Sequence, residues 1–395
     1  MPAAPVAIDA DRLLADLHTL RSFGADGTGV RRQALSPADV AAREWLAERF
    51  TAAGLQASID VFGTVHGRSP NPGPAILIGS HSDTQPLGGW LDGAYGVICA
   101  LEVARALPGL AVDVVSWQDE EGTFDGFVGS RAFTGHDMTA DLAQMEAGSR
   151  AAGWWGRPIL RAEPGRYRAC IEPHIEQGGR LEAGGQRLGV VTAIVGIHQH
   201  RVVFHGRRNH AGTTPMDLRD DAAMAMIRFV HDLDARFGTA AGPDSVWTVG
   251  RIDVEPGAAS IIPDRADITV QYRDPDEAVL ARMDEAFHAA VTAAPKRPDV
   301  AAMVYDVQPA QMDAAVQEAL ADACEAACPG GWRRMHSGAA HDAQLLAGLM
   351  PTGMLFVPSI GGVSHAADED TAVADLALGC QAVATAVAGL LAGPV

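Results

Sequence analysis

Four short apolar segments, each followed by a polar cluster, constrain the fold of this chain more than any other feature of its sequence. These segments are Ala75–Gly79, Val112–Trp117, Arg168–Ile171 and Met354–Val357, and helical patterns such as Tyr95–Leu107 lie between them. Strands that alternate with helices predict an α/β fold with a mostly parallel central sheet. In such sheets, binding sites form at the carboxyl ends of the strands. The polar clusters are therefore predicted to meet at one edge of the sheet.

The middle of the chain has a different order of elements. The pattern predicts β-α-β-β-α-β, the split βαβ arrangement of a small α+β domain. Its predicted elements are Arg201–His205, helix Asp220–Asp234, Val246–Ile252, Asp267–Tyr272, helix Glu277–Ala294 and Val300–Tyr305. We therefore predict two domains, a larger α/β domain formed by residues 1–195 and 313–395 and a smaller inserted domain formed by residues 196–312.

Composition and charge argue against some functional classes for this protein. Among 395 residues, 49 are acidic and 30 basic, which gives a net charge of −19. This balance argues against nucleic acid as a partner and against anchoring to an anionic membrane surface. The apolar stretch Leu376–Leu391 is short for a membrane span and predicts a terminal helix packed on the core. Five scattered cysteines indicate reduced thiols and a cytoplasmic protein.

The first polar cluster contains residue types suited to holding a metal ion. His81 and Asp83 follow the first apolar segment, and Asp92 opens a glycine-rich turn before a helix. A ring nitrogen of His81 could bind a metal while Asp83 orients the ring, and the carboxylate of Asp92 could bridge two cations. Taken alone, the same residues also fit a hydrogen-bonded turn histidine and a helix N-cap.

The second cluster, Asp119-Glu120-Glu121-Gly122, places adjacent carboxylates at the end of a predicted strand. Adjacent carboxylates repel each other unless a cation or protonation relieves the repulsion. One of the two glutamates could bind a metal while the other acts as a general base. A solvated acidic turn is the alternative for this segment considered by itself.

The third and fourth clusters add two histidines. They are Glu172-Pro-His174-Ile-Glu176-Gln177-Gly178 and Ser359-Ile-Gly-Gly-Val-Ser-His365. Across the four clusters, three imidazoles and two carboxylates would suit two borderline divalent ions such as zinc that share one carboxylate. A pair of ions about 3.5–4 Å apart activates water. The five candidate ligands are His81, Asp92, Glu121, His174 and His365.

Six motifs in order along the chain carry a resemblance to a known family. They are Gly79-Ser-His-Ser-Asp-Thr84, Asp119-Glu-Glu-Gly122, Pro173-His-Ile-Glu-Gln-Gly178, His210-Ala-Gly-Thr-Thr-Pro-Met216, Ser337-Gly-Ala-Ala-His-Asp-Ala343 and Val357-Pro-Ser with Ser364-His365. From about residue 10 to residue 390, the chain resembles the amidase/carbamoylase branch of the M20 metallopeptidases. That branch includes N-carbamoyl-L-amino-acid hydrolases, β-ureidopropionase and allantoate amidohydrolases. The resemblance implies a di-metal catalytic domain and a lid domain that also dimerises.

The resemblance also implies a role for each matching position. It assigns His81 and His174 to different metal ions, makes Asp92 the bridging ligand, and completes the site with Glu121 and His365. Zinc is the preferred ion, and manganese, cobalt or nickel would also fit this ligand set.

Four further residues would act on the substrate. Glu120 would be the general base, which takes a proton from water and delivers it to the leaving nitrogen. His210 would stabilise the oxyanion, in the active site of the neighbouring subunit. Gln177 and Arg273 would hold the substrate, Arg273 through its carboxylate. Considered locally, Arg273 also fits a surface strand and His210 also fits a turn.

The chain departs from the family pattern at a few positions. Ser260 stands where the family usually has an Asn that helps to bind the substrate carboxylate, so Ser260 is predicted to contact substrate with altered recognition. Ala340 replaces a usual Gly, and Thr123-Phe124-Asp125 replaces a common Arg-Phe. None of these changes touches the predicted ligands or Glu120.

The sequence therefore predicts a cytoplasmic, homodimeric di-metal amidohydrolase. It would cleave a linear amide or ureido C–N bond in a small carboxylate-bearing substrate. An N-carbamoyl-L-amino acid is the preferred substrate, and its products would be the amino acid, ammonia and carbon dioxide. Allantoate or ureidoglycolate hydrolysis is the main alternative, and an M20 aminoacylase or dipeptidase is less favoured. A binding protein without catalytic activity is the hypothesis of another class, and retention of the ligands and Glu120 argues against it.

Overall fold

The computed structural model describes residues 6–301 and 305–393. The chain divides into two compact units, which we call unit 1 and unit 2. Unit 1 consists of Met1–Thr192 and Gln311–Val395, and unit 2 is Ala193–Ala310. The predicted inserted domain, residues 196–312, lies within a few residues of the bounds of unit 2.

Two helices have nearly their predicted bounds, Ala94–Ala106 and Glu277–Ala293, whereas the helix predicted to end at Asp234 continues to Ala240. Asp9 caps the first helix by accepting the N–H of Arg12, and Ser36 caps the second by accepting the N–H of Asp39. The helices are α1 Ala10–Ser22, α2 Pro37–Ala52, α3 Ala94–Ala106, α4 Val128–Phe133, α5 Thr139–Ala151, α6 Arg180–Gly184, α7 Ala222–Ala240, α8 Glu277–Ala293, α9 Ala314–Ala327, α10 Asp342–Leu346 and α11 Val373–Ala392.

The strands include several short ones that the sequence pattern did not predict. They are β1 Ala25–Asp26, β2 Gly29–Val30, β3 Gln56–Ile59, β4 Val65–Arg68, β5 Ala75–His81, β6 Val112–Trp117, β7 Tyr167–Ile175, β8 Leu188–Ile194, β9 Gly196–His205, β10 Val246–Glu255, β11 Arg265–Asp274, β12 Asp299–Val300, β13 Tyr305–Val307, β14 Ala310–Gln311, β15 Trp332–Ser337 and β16 Thr352–Val357.

The four predicted strands form the parallel centre of the sheet in unit 1. Within the described residues, this nine-stranded sheet has the order β14-β8-β16-β7-β5-β6-β4-β3, with β15 paired to β8. Strands β16, β7, β5 and β6 run parallel to one another. Strands β3, β4 and β8 pair in antiparallel fashion outside this centre. The prediction of an α/β fold with a mostly parallel central sheet is confirmed.

Two strands extend further than their apolar residues indicated. Strand β5 continues to His81, and β7 continues through His174 to Ile175. The prediction that these two histidines follow their strands was therefore wrong. Sheet pairing uses backbone groups, so it continues past the position where the side chains become polar. Both histidines are held by strand backbone, which fixes their positions more tightly than a loop would.

The terminal helix α11 is part of the core of unit 1. By length and composition alone this helix would be able to cross a membrane. Half of its most apolar stretch of 18 residues, however, is buried inside the protein. Leu376, Cys380 and Val383 are fully buried, and α11 packs against α3 and α9. The prediction of a terminal helix packed on the core is confirmed.

Unit 2 has the predicted β-α-β-β-α-β order. Its sheet has the order β10-β11-β9-β12, with β13 also paired to β9, and the pairings among its described residues are antiparallel. Strands β12 and β13 lie at the two ends of the last predicted strand, Val300–Tyr305, and residues 302–304 of that strand lie outside the described part of the chain.

Helix α7 packs against the sheet of unit 2 through the face that carries its aromatic residues. Met224 and Ile227 are 42% and 52% exposed, whereas Phe229, Leu233 and Phe237 are buried. The buried aromatic residues of α7 pack with Tyr272 of β11 and Phe287 of α8, which form the core of unit 2. The larger side chains occupy the core because they remove more apolar surface from water.

Candidate metal centre

Two groups of side chains able to bind metal share Asp92. The first group is His81, Asp92 and His174, and the second is Asp92, Glu121 and His365. In each group one candidate ligand atom per residue lies within 4.8 Å of the others. Unit 1 therefore brings together all five residues that the sequence singled out as ligands.

The two oxygens of Asp92 face different groups. Oδ1 lies 3.8 Å from Nε2 of His81 and 3.2 Å from Nε2 of His174. Oδ2 lies 3.2 Å from Nε2 of His365, which is in turn 3.6 Å from Oε2 of Glu121. This is the arrangement expected of a carboxylate that bridges two cations. It also places His81 and His174 in the same group, whereas the resemblance assigned them to different ions.

The hydrogen-bond partners of His81 and His174 indicate which ring nitrogen of each carries the hydrogen. Nδ1 of His174 lies 2.9 Å from the carbonyl oxygen of Ile175, and Nδ1 of His81 lies 3.1 Å from that of Asp83. A carbonyl only accepts hydrogen bonds, so in the neutral rings each Nδ1 carries the hydrogen and each Nε2 presents a lone pair.

The atoms between these groups lack hydrogen-bond partners. Nε2 of His174 and Oδ1 of Asp92 are both buried and unpartnered within the described protein. A lone pair facing a carboxylate oxygen in a buried site is unfavourable unless a cation lies between them. The residues present therefore fit a divalent metal ion.

Buried carboxylates crowd the same region. Burial, then the charge of neighbouring Glu121, raises the pKa of Glu120 well above its ordinary value. Burial, then the charge of Asp92, raises the pKa of Glu121 to about 8. A hydrogen bond to Asp92 is the largest cause that raises the pKa of His365 to about 9. Bound cations would offset this repulsion among carboxylates.

Glu120 lies beside the first group. Its Oε2 is 3.7 Å from Nε2 of His81. The turn that carries it begins at Asp119, whose φ of 57° is in the left-handed region. The carboxylate of Asp119 accepts the N–H groups of Phe124 and Gly126, which stabilises the turn.

Asp83 acts differently from the prediction. Its backbone oxygen, rather than its carboxylate, is the closer partner of the His81 ring, since Oδ1 is 3.8 Å from Nδ1. The carboxylate instead accepts the N–H of Glu121 at 3.2 Å and lies 3.5 Å from Nη2 of the fully buried Arg43. Arg43 also donates to Asp39 at 2.8 Å. Asp83 thus supports both the His81 ring and the turn of Glu121.

Gln177 lies next to the second group. It has a φ of 57°, and its side-chain nitrogen donates to Oδ2 of Asp92 at 2.9 Å and lies 3.3 Å from Nε2 of His365. The carbonyl oxygen of the same side chain is buried without a partner. Gln177 is therefore in contact with the predicted ligands, at the position from which it would reach a substrate bound beside them.

The remaining predicted substrate residues, His210, Ser260 and Arg273, lie in unit 2. Nδ1 of His210 accepts the N–H groups of Gly212 and Thr213 at 3.0 and 3.2 Å. In the neutral ring the hydrogen is consequently on Nε2, which is an outward-facing donor. The N–H of Ala211 donates to the carbonyl of Ser260, so the His210 and Ser260 segments are neighbours.

Arg273 lies near the end of strand β11. Its guanidinium donates through Nε and Nη2 to Oε1 of Gln271, at 3.0 and 2.8 Å. These contacts hold the Arg273 side chain along the sheet of unit 2.

Comparison with known proteins shows the family of this chain. The sequence profile of peptidase family M20/M25/M40 matches residues 77–389, which is most of the chain and includes every candidate ligand. The chain belongs to peptidase family M20/M25/M40.

Individual M20 relatives match along nearly the whole chain. An N-carbamoyl-L-amino-acid amidohydrolase of Paenarthrobacter aurescens is 34% identical over 95% of this chain and 96% of its own. An allantoate amidohydrolase of Escherichia coli (strain K12) is 33% identical over 93% of this chain and 95% of its own. The crystal structure of an amidase of the hydantoinase/carbamoylase family from Burkholderia phymatum superposes with a TM-score of 0.92, at 49% identity, over 98% of this chain and 100% of that one.

The structure of this M20 protein also places residues in the centre to which the sequence assigned no role. Gln85 donates to Oε2 of Glu121 at 2.7 Å, and the ring of His341 lies edge-on to His174 with centroids 4.6 Å apart. Glu172 accepts from Ser80 at 2.7 Å and from the N–H of Ala343 at 2.7 Å. Ser80, Glu172, His341 and Ala343 all lie in motifs that the sequence singled out, but their pairing could not be predicted because the partners are far apart along the chain.

Proposed function

We propose that this M20 protein is a metal-dependent amidohydrolase that cleaves a linear amide or ureido C–N bond, with an N-carbamoyl-L-amino acid as the preferred substrate. The observation that carries the proposal is the pair of ligand groups that share Asp92, with Glu120 beside the first group. The relative from Paenarthrobacter aurescens bears the matching activity in its name. The products would be the amino acid, ammonia and carbon dioxide.

Two divalent ions complete the proposed site. His81, Asp92 and His174 would hold one ion, and Asp92, Glu121 and His365 would hold the other. Zinc is preferred for this set of imidazoles and carboxylates, and manganese, cobalt and nickel also fit it. When bound, such ions polarise the carbonyl of the substrate and acidify water.

Glu120 is the proposed general base. Its carboxylate takes the proton from the attacking water and later donates it to the leaving nitrogen, whose lone pair needs a proton before the C–N bond breaks. Burial raises the pKa of Glu120 above its ordinary value, and a base with a raised pKa holds the proton more strongly during transfer.

Residues of unit 2 would act on the substrate itself. We propose that Nε2–H of His210 donates to the oxyanion in the active site of the neighbouring subunit, a role for which its fixed tautomer is suited. Arg273 would bind the substrate carboxylate and Gln177 would orient the scissile group. Ser260, beside His210, would contact the substrate where the family usually has Asn.

A homodimer formed through unit 2 is part of this proposal. Strand β10 is the edge strand of its sheet and pairs with β11. Val246 and Ile252 on β10 are each 54% exposed, and Trp247 is 37% exposed. Exposed apolar side chains on an unprotected edge strand favour pairing with a second copy of the chain.

Hydrolysis of allantoate or ureidoglycolate is the second candidate activity. Ser260 in place of the usual Asn favours a different mode of binding for the substrate carboxylate. The allantoate amidohydrolase of Escherichia coli has nearly the same identity to this chain as the carbamoyl-amino-acid enzyme. Both activities would use the same ligands and the same base.

A panel of substrates would test these proposals on metal-replete enzyme. The panel contains N-carbamoyl-L-amino acids, allantoate, ureidoglycolate and N-acyl amino acids, and ammonia and amino-acid release are measured. We expect the highest kcat/KM for a carbamoyl-amino acid. Higher turnover of allantoate or ureidoglycolate would favour the second candidate, and turnover of N-acyl amino acids alone would indicate an aminoacylase.

The Glu120→Gln variant tests the mechanism separately. Gln keeps the size and hydrogen-bonding capacity of the side chain but does not accept a proton from water. We expect kcat to fall by about 100- to 10,000-fold while the metal content, measured by elemental analysis, stays at the parent value. A variant with a near-parent kcat would show that Glu120 is not the base.

A further inference from the structure

One buried carboxylate outside the ligand groups contacts the loop that carries Asp92. Oε1 of Glu369 accepts the N–H groups of Leu91 and Asp92, at 3.1 and 3.0 Å. These two N–H groups lie just before helix α3, in the turn that aims the Asp92 carboxylate at both ligand groups. The contact joins positions that are 278 and 277 residues apart along the chain.

The second oxygen of the same carboxylate contacts the loop that carries His365. Oε2 of Glu369 accepts the hydroxyl of Ser364 at 2.8 Å, and that hydroxyl also lies 3.4 Å from Oδ2 of Asp92. Ser364 directly precedes His365. One carboxylate thus connects the backbone of the shared ligand with the segment of a ligand from the second group.

The Glu369 carboxylate is closely surrounded by the protein. Its side chain is only 2% exposed. A Cβ atom added at Gly89 would lie 2.0 Å from Oε1, so the backbone of the Asp92 loop passes directly against the carboxylate. A carboxylate confined in this way, with both oxygens occupied by donors, holds its partners in one arrangement.

We infer that Glu369 is a positioning residue, which holds the loops of Asp92 and His365 together so that the two ligand groups form with one geometry. The inference rests on the metal centre proposed above. Glu369 acts through hydrogen bonds to the ligand loops and does not itself bind an ion. Loss of these bonds lets Asp92 and His365 move independently, which weakens the binding of ions that both residues would hold.

The test compares three variants by metal affinity, which does not depend on turnover. Glu369→Ala removes both acceptor oxygens. Glu369→Gln keeps an acceptor for the N–H groups of Leu91 and Asp92 and offers an amide to Ser364. Asp60→Asn is the matched control, because Asp60 is 5% exposed and also accepts backbone N–H groups, those of Phe62, Gly63 and Thr64.

Zinc affinity is measured by competition with a chromophoric chelator, and the visible spectrum of the cobalt-loaded protein reports ligand geometry. We expect Glu369→Ala to weaken zinc binding by about 10- to 100-fold and to alter the cobalt spectrum. Glu369→Gln should restore most of the affinity, and Asp60→Asn should bind zinc like the parent even if it unfolds at a lower temperature.

Three results would overturn the inference. Parent-like zinc affinity in Glu369→Ala would show that positioning is unnecessary. Equal weakening in Glu369→Gln would show that charge, and not hydrogen bonding, matters. Equal weakening in Asp60→Asn would show a general effect of losing a buried carboxylate.

Two further measurements separate a failure of this inference from a variant that does not fold and from a failure of the proposed metal centre. If Glu369→Ala does not fold, Ser364→Ala removes the partner of Oε2 without emptying the site, and unchanged zinc affinity there would also contradict the inference. If the parent itself binds no divalent ion, the proposed metal centre fails and the inference fails with it. If only the variants behave unexpectedly, the metal centre stands and the inference alone is rejected.

Discussion

Gly93 lies against the ring of His81, at the residue that follows the shared ligand Asp92. Its φ is +62°, and an added Cβ would lie 2.4 Å from ring atoms of His81. Gly27 has the same φ of +62° with no atom within 4 Å of an added Cβ. The two glycines therefore separate the effect of backbone strain from the effect of contact with a ligand.

We predict that Gly27→Ala lowers the free energy of unfolding by about 1 kcal/mol, because alanine is strained in the left-handed region. Gly93→Ala should lose at least as much stability and, in addition, weaken zinc binding, because the methyl group displaces the His81 ring. Denaturant unfolding and a zinc competition assay on both variants measure this. Similar zinc affinity in the two variants would contradict the proposed role of His81.

A buried polar network links strands β9 and β11 to helix α8 in unit 2. The hydroxyl of Tyr272 donates to Asp284 at 2.5 Å, so it accepts its other hydrogen bond from Nε2 of His200, 3.0 Å away. Nδ1 of His200 is buried without a partner, and the ring stacks on Phe287 at 4.1 Å. His198 contacts the same Asp284 at 2.7 Å.

This network predicts a loss of stability in acid. Burial lowers the pKa of His200 from 6.5 to about 4, against the opposing charge of Asp284. Between these pH values the unfolded chain binds more protons than the folded protein, so stability falls as the pH falls from 6.5 towards 4. For His200 alone the full effect is about 3 kcal/mol.

Denaturant unfolding between pH 7 and pH 4 would measure this dependence. We expect His200→Gln to flatten the curve relative to the parent. His205→Gln is the control, because His205 lies on the same strand with its side chain 51% exposed. A parent-like slope in His200→Gln would mean that other groups cause the acid loss.

The exposed apolar residues of the edge strand β10 lead to a prediction about the oligomeric state. Ile252→Lys places a charge on the proposed dimer interface, where it would be buried without a partner. We expect the dissociation constant of the dimer to rise by about 100-fold or more, as measured by light scattering over a range of concentrations. Leu349→Lys, at an exposed position of unit 1, should leave the oligomeric state unchanged. A protein that is monomeric before mutation would refute the proposed dimer.

At the scale of the molecule, the candidate ligands are confined to one of the two units. The described residues of unit 2 contain no group of three side chains suited to a metal, whereas the ligand groups of unit 1 connect β5, β7 and the loops that follow β6 and β16. Ions bound at a thousand times their dissociation constant stabilise a folded state by about 4 kcal/mol.

Removal of ions with a chelator should therefore destabilise unit 1 selectively. We expect faster hydrogen exchange near His81, Asp92 and His174 and little change in strand β11 of unit 2. Added zinc should slow the exchange in unit 1 again. Mass spectrometry of peptides from each unit measures the difference. Equal acceleration in both units would show that the ions stabilise the molecule in another way.

Much of this architecture follows from local sequence. The apolar segments around Ile76 and Val114 predicted buried strands, and the helical patterns Tyr95–Leu107 and Glu277–Ala294 predicted helices that the structure contains. Strand lengths could not be predicted in the same way. His81 and His174 are polar residues inside strands, where pairing partners elsewhere in the chain determine how far the ladder extends.

The sequence by itself determined which chemical groups this protein carries and the order in which they follow their strands, because secondary structure depends mainly on residues close together in the chain. Only the tertiary structure decided which of those groups meet. It placed the rings of His81 and His174 beside the same oxygen of Asp92. It also brought the carboxylate of Glu369 into a hydrogen bond with the N–H of Leu91, which is 278 residues away along the chain. Such contacts depend on how the strands and loops pack in three dimensions, and local sequence patterns carry little information about that packing.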